Sequence, residues 1–318
     1  MSVYGMTSVT VGVSSIDESL RLFRDVMGLQ VDSDAQASRT LLDAWGLPAN
    51  VSARLVTLSC RGYPAGHLRL AQYSPAATDA VRLDHGTGST DSATDIGPKA
   101  IDFYVPPPMS RAVEAITGAG YAFRSEPIRY QLGDIDTEEC LFSGPDGVPA
   151  LLMTGHRHPP ESMRELPSGI RFSEIATTSV VCADMDAARR LYCDALGLDT
   201  GTDAWVPEEN LDLARRLTGV KDATGMHFLL VAAPGEPSGK LLFVHFQNVP
   251  AKRLSGRMRP GKLGVNLFSY AASDLDATLE RAGEMGGTLL RGPTQVGDRR
   301  IALLLGANEE LLELTEGG

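Results

Sequence analysis

The chain has 318 residues, 43% of them hydrophobic and 22% charged, with a formal net charge of −11 and four cysteines. It is long enough for two ordinary domains, each with its own core. The acidic balance disfavours nucleic acid as a partner, and no apolar run reaches the length of a membrane span. Cys60, Cys140, Cys182 and Cys193 lack metal or redox spacing and the N-terminus lacks a secretory signal, so a reduced, cytoplasmic protein is expected.

Met6 to Ser14 alternates small or polar residues with valine and predicts a strand with one buried face. Ser15 to Leu29, SIDESLRLFRDVMGL, predicts an amphipathic helix. Ser15 can cap it, Glu18 completes a capping box, and Gly28 supplies the stop. Ile16, Leu20, Phe23 and Met27 mark its apolar face. A short helix over Ser38 to Trp45 and strands over Val51 to Cys60 and Gly66 to Tyr73 complete a first unit. Ser74 to Pro98 reads as a surface linker with a solvated His85.

The second unit has strand Ala100 to Val105, helix Met109 to Ile116, and strands at Tyr121 to Ser125, Ile135 to Phe142 and Val148 to Thr154. A tight turn, Gly144-Pro145-Asp146-Gly147, joins the last two strands. Gly155 to Gly169 is a proline-bearing polar stretch and the best domain boundary, with His156 and His158 expected to be solvated.

The third unit repeats the first. Asp184 to Leu198, DMDAARRLYCDALGL, aligns without a gap on the first helix, pairing Asp17 with Asp186, Leu22 with Leu191, Phe23 with Tyr192 and Gly28 with Gly197. Strand Phe172 to Cys182 precedes it, and helix Glu208 to Leu217 and strands Gly225 to Val231 and Lys240 to Gln247 follow. The fourth unit has strand Leu263 to Ala272, helix Asp274 to Met285, and strands Thr288 to Arg291, Arg300 to Leu305 and Leu311 to Thr315.

Four such units, paired two and two, resemble the vicinal oxygen chelate (VOC) superfamily, which holds glyoxalases, bleomycin-resistance proteins, extradiol dioxygenases and methylmalonyl-CoA epimerases. The carriers are VGVSSIDESLRLFRDVMGL, VVCADMDAARRLYCDALGL, ASDLDATLERAGEMGG and SGPDGVPALL. The resemblance implies an α+β fold of four βαβββ modules forming two half-barrel, cup-shaped domains. One would span 1–154 (modules one and two) and the other 171–318 (modules three and four), with a linker at 155–170; the alternative is that modules swap across the halves, which would redraw both cavities. Each cup would hold a small-molecule cavity, with the repeated helix bracing the outside of the sheet.

In this superfamily, metal-using members place a His in the first strand of a module and a Glu in its last. Those slots fall here on Ser8 and Arg69, on Ala100 (or Ile101) and Leu151 (or Leu152), on Thr177 and Leu242, and on Leu267 and Glu313. One carboxylate is fewer than the three protein ligands a catalytic metal generally needs, and Arg69 would repel a cation. No metal and no other cofactor are therefore expected.

Strand parity puts His67, Arg69, Asp102 and Tyr104 in the first cup as an acid–base set. The alternative reading is a structural Asp102–Arg69 pair with Tyr104 and Tyr73 as walls. Tyr73, Tyr130, Glu139, His227, Ser269 and Glu313 are the substrate-binding candidates; a dry, unpaired Glu313 would be raised in pKa. Trp45 and Trp205 either lid the cavities or pack.

Three functions compete. The first is a metal-independent isomerase, epimerase or lyase moving a proton on a small apolar or aromatic metabolite. The second is a drug- or metabolite-binding protein, and the third a metal-dependent dioxygenase or glyoxalase. The partner expected is a small molecule, with neither nucleic acid nor membrane, and a homodimer is an open option.

Overall fold

The structure is a computed structural model that describes residues 3–82, 92–159 and 162–317. His85 lies outside the described residues. The first unit comprises β1 (Val3–Gly12), α1 (Ile16–Leu20), β2 (Gln30–Gln36), α2 (Arg39–Ala44), β3 (Ser52–Ser59) and β4 (His67–Ser74). The second has β5 (Gly97–Tyr104), α3 (Ser110–Gly118), β6 (Ile128–Leu132), β7 (Ile135–Ser143) and β8 (Pro149–Arg157). The third has β9 (Ile175–Val181), α4 (Met185–Arg189), β10 (Asp199–Trp205), α5 (Glu208–Thr218), β11 (Gly225–Ala232) and β12 (Lys240–Gln247). The fourth has β13 (Gly264–Ala272), α6 (Leu275–Glu284), β14 (Thr288–Val296), β15 (Arg299–Leu305) and β16 (Leu311–Glu316). Among the described residues no helix is long and apolar enough to cross a membrane.

The repeat extends to the irregularities of the helix. Ser15 Oγ accepts from the Glu18 N–H at 3.2 Å, and Asp184 Oδ1 accepts from the Ala187 N–H at 2.8 Å. Both helices then widen into π-helical turns at equivalent places, Arg21–Val26 and Arg190–Ala195. They stop at Gly28 and Gly197, with φ of 81° and 79°.

Three strands escaped the sequence pattern, β2, β10 and β6. β2 and β10, QVDSDAQ and DTGTDAW, end their sheets and have little apolar alternation, and β2 is exposed along its whole length. Tyr121 to Ser125 is not the strand expected. Arg124 and Ser125 both donate to the single carbonyl of Leu141, at 2.7 and 3.3 Å, which stops a ladder from propagating beyond the isolated bridge at Phe123.

The strands form two eight-stranded sheets. Sheet 1 runs β14-β15-β16-β13-β1-β4-β3-β2, and sheet 2 runs β10-β11-β12-β9-β5-β8-β7-β6. Units one and four therefore share sheet 1, and units two and three share sheet 2. The expected cups, built from units one and two and from units three and four, are not the ones formed. Side-chain periodicity fixes which face of a unit is buried but not which other unit joins its edge; adjacency in sequence is only a tendency. The joints are antiparallel, Val9 opposite Phe268 in one and Ile101 opposite Thr178 in the other.

Helices pair differently. The π-helical end of the first-unit helix touches α3, and that of the third touches α6, so helices pack within each half while strands pair across halves. Phe23 reaches Phe103 of sheet 2 with ring centroids 6.2 Å apart. The repeated helix thus ties the two sheets together, and one apolar core draws on all four units.

Candidate functional site

The two cups have different contents. In sheet 1, Thr10 lies beside Arg69 and Ser269 beside Glu313. Arg69 Nε donates to Thr10 Oγ1 at 2.7 Å, and its Nη2 donates to Ser269 Oγ at 3.0 Å and Glu313 Oε1 at 2.9 Å. Glu313 also accepts from Ser269 Oγ at 2.8 Å and from Trp45 Nε1 at 2.5 Å. Trp45, at the end of α2, stacks under the guanidinium with 5.0 Å from its carbon to the ring centroid. Burial pushes the Glu313 carboxyl up, but Arg69, Trp45 and Ser269 outweigh it and hold the group below the usual range.

That geometry answers the question of a metal in this cup. A cationic side chain already occupies the space between the ligand slots, bonded to Thr10, Ser269 and Glu313. Among the described residues no three His, Cys, Asp or Glu side chains gather in a way that could hold a metal ion. The residues present do not fit a divalent cation.

Sheet 2 encloses a cavity of about 160 Å³. Lys240, Thr177, Asp102 and Leu151 stand in register across β12, β9, β5 and β8. Glu139 and Tyr130 face the cavity from β7 and β6, and Leu217 and Thr218 from α5. Leu132, Leu151, Met153, Phe228, Leu230 and Leu242 supply apolar wall. α2 and α5 are equivalent helices of the first and third units. Trp45 at the end of α2 fills its cup, whereas Leu217 and Thr218 leave the other open.

Two carboxyl groups face this cavity without a cationic partner. Asp102 is 4% exposed, and its Oδ1 has no hydrogen-bond partner. Burial, and then the nearby Glu139, push its pKa well up. Glu139 is 8% exposed, and burial raises it to about 7 against the opposing pull of Tyr130 and Thr137. Two such groups buried on one cavity do not both ionise cheaply, so the pair carries at most one charge near neutrality.

On the other arm of the sheet, Lys240 Nζ donates to Tyr104 Oη at 2.7 Å and to the Ser162 carbonyl at 2.6 Å. Tyr104 Oη donates to the same carbonyl at 2.8 Å. Burial lowers Lys240 to about 8. His158 turns its ring into this corner with Nε2 buried and unpartnered, and burial, then Lys240, lower its pKa. Gly155 makes room for the ring, since a β-carbon there would collide with it and with the Met163 sulfur.

The acid–base set expected in one cup is divided. Asp102 and Tyr104 line the sheet 2 cavity, whereas Arg69 and His67 lie on β4 in sheet 1 because that unit joins unit four. Arg69 pairs with Glu313 and not with Asp102. Of the substrate-binding candidates, Tyr130 and Glu139 line the cavity; Ser269 and Glu313 belong to the sheet 1 network, where Tyr73 is buried too. Glu313 is paired, and its shift is opposite to that of an unpaired group. His227 faces away, bonded to Asp203 at 2.8 Å and stacked on half-exposed Trp205, while its neighbour Phe228 takes the inward position.

Lys240 escaped notice, and His158, expected to be solvated, is buried on the cavity instead. Parity from Leu242 points inward at Lys240, so that signal was present. For His158 the solvated reading fails because β8 runs on to Arg157, carrying it out of the expected linker and into the cavity wall. His156 is not free either, lying 3.3 Å from Glu138.

Paired, curled βαβββ sheets enclosing a small-molecule cavity define the class of fold. Residues 174–309 match the Glyoxalase/Bleomycin resistance protein/Dioxygenase superfamily. No curated protein sequence matches the chain. Among solved structures, glyoxalase I from Zea mays is similar with a TM-score of 0.64 and 14% identity, over 98% of this chain and 92% of that one. A putative dioxygenase from Bacillus subtilis subsp. subtilis str. 168 is similar with a TM-score of 0.61 and 12% identity, over 99% and 86%. The superfamily match is confined to residues 174–309, while the fold of these solved structures extends over nearly the whole chain. The matched segment spans units three and four, which lie in different sheets.

Proposed function

We propose that the chain is a metal-independent proton-transfer enzyme, an isomerase, epimerase or lyase, acting on a small apolar or aromatic metabolite in the sheet 2 cavity. The supporting observation is the pair of buried carboxyls, Asp102 and Glu139, on an otherwise largely apolar cavity. A base works best when its pKa lies near the operating pH, and Glu139 at about 7 meets that condition. Asp102, kept protonated, donates a hydrogen bond to an oxygen on which charge develops.

In the proposed step, the Glu139 carboxylate takes a proton from a carbon next to a carbonyl. The C–H bond breaks, its electron pair moves toward the carbonyl oxygen, and Asp102 stabilises that oxygen through its O–H. Glu139 then returns the proton to the same carbon on its other face, or to a neighbouring carbon. No oxidant or reductant is involved.

The test is carbon–hydrogen exchange in D₂O, followed by proton NMR on a panel of apolar and aromatic ketones. At least one member should exchange in the presence of the protein, and Glu139→Gln should slow that exchange by about a hundredfold or more. Binding without exchange across the panel would favour the sequestering reading, which the apolar walls also suit, and would overturn this one. So would exchange indifferent to Glu139→Gln.

A further inference from the structure

We infer that the sheet 2 cavity takes a small monocarboxylic acid, its carboxylate docked on Lys240 and its apolar body, about the size of one aromatic ring, directed toward Asp102 and Glu139. The inference deepens the proton-transfer reading and rests on it for where the reacting carbon lies.

Lys240 supplies the first argument. It is 4% exposed and lines the cavity. Both of its hydrogen-bond partners are neutral oxygens, Tyr104 Oη and the Ser162 carbonyl. An ammonium group has three donors, so one N–H remains for a ligand. Lys240 forms no ion pair with any described carboxylate. Glu236 favours the charged form without pairing with it and is outweighed by burial, so an anion entering the cavity relieves the remaining cost of the buried ammonium.

The second argument comes from the atoms left unpaired. Among the described residues, His158 Nε2 and Asp102 Oδ1 are buried, lack partners and belong to side chains lining this cavity. They stand on different arms of the sheet, beside Lys240 and Glu139 respectively. Buried polar atoms are nearly always hydrogen-bonded, so two orphans on one cavity mark it as a place that a ligand completes, with the His158 orphan at the end where the carboxylate docks.

Size and charge narrow the class. A cavity of about 160 Å³ is close to the roughly 150 Å³ that holds benzene in an engineered apolar site. The Asp102–Glu139 end already resists a negative charge, so a second carboxylate there would be repelled. A single charge at the Lys240 end is the arrangement that fits. The chain's net charge of −11 gives no general attraction to anions, which leaves recognition to the lysines lining the cavity; Lys99 is engaged by the Ala93 carbonyl and the Phe246 ring, and Lys240 stands beside the unpartnered His158 nitrogen.

Phenylacetate, its neutral analogue phenylacetamide and the dianion 1,4-phenylenediacetate serve as probes, with binding read by titration calorimetry at neutral pH. Phenylacetate should bind about tenfold or more tighter than the amide, and the dianion more weakly than phenylacetate. Lys240→Met should abolish the preference for phenylacetate while sparing the amide; Lys240→Arg should retain the preference and so control for folding. Equal affinity for acid and amide, a preference that survives Lys240→Met, or binding of neither overturns the inference. Carboxylate preference without C–H exchange would defeat the proton-transfer reading alone, and exchange of neutral ketones without carboxylate preference would defeat this inference alone.

Discussion

Nη2 of Arg69 lies 2.9 Å from Oε1 of Glu313, joining residues 244 positions apart in the chain. That bond closes the first cup. It neutralises a carboxylate that is 2% exposed, orients it toward Trp45, and removes the space a cation would need. The same fold therefore carries one cup built as a solid joint and one built as a container.

Breaking the pair from one side should be far worse than removing both partners. Arg69→Met leaves Glu313 buried without its counter-charge and is expected to lower stability to urea by about 3 kcal/mol or more. Adding Glu313→Leu should recover most of that loss. Because the folded Glu313 pKa is held below its ordinary value, the pair's contribution is present above the ordinary carboxylate range and disappears as pH falls through the folded value. Acid titration followed by emission of buried Trp45, after subtraction of a Trp205→Phe variant's missing signal, measures that loss.

Glu139 has the opposite sign. Its folded pKa of about 7 exceeds the ordinary 4.5, so the folded state binds the extra proton between those values, and stability falls as pH rises across that window. Glu139→Gln should therefore be more stable than the parent at about pH 8, by up to about 3 kcal/mol, and nearly equal to it at about pH 4.5. Paired urea titrations at the two pH values provide the check. Glu310, also buried and raised to about 7, leaves part of the slope in the variant.

Crossed pairing makes a prediction about fragments. Residues 1–154 and 171–318, expressed separately, each lose the antiparallel partner of a central strand, exposing β1 and β5 in one fragment and β9 and β13 in the other. Each alone should lack a cooperative unfolding transition. Co-expressed, they should purify as a complex that regains one. Two independently folding halves would contradict the sheet order.

How much of this was visible in the sequence depends on what each signal encodes. The repeated helix was legible because its cap, apolar face and glycine stop are all local, and even its π-helical turns recur in register. β2 was not, because an edge strand in water needs no apolar alternation. Tyr130 sits on β6, which the pattern did not show, whereas Asp102 and Glu139 were reachable by counting parity along their strands. Their separation from Arg69 was not, because nothing in one strand's pattern names the strand that will lie beside its module. His158 required knowing that β8 continues past Thr154.

The sheet order also has a kinetic side. Sheet 2 is drawn from one uninterrupted stretch, 97–247, whereas sheet 1 must gather residues 3–74 and 264–316 from the two extremes of the polypeptide. Bringing distant segments together demands more loop-closure entropy and slows assembly. The container can therefore condense early from neighbouring sequence, with the Arg69–Glu313 joint clasping the first and last modules last.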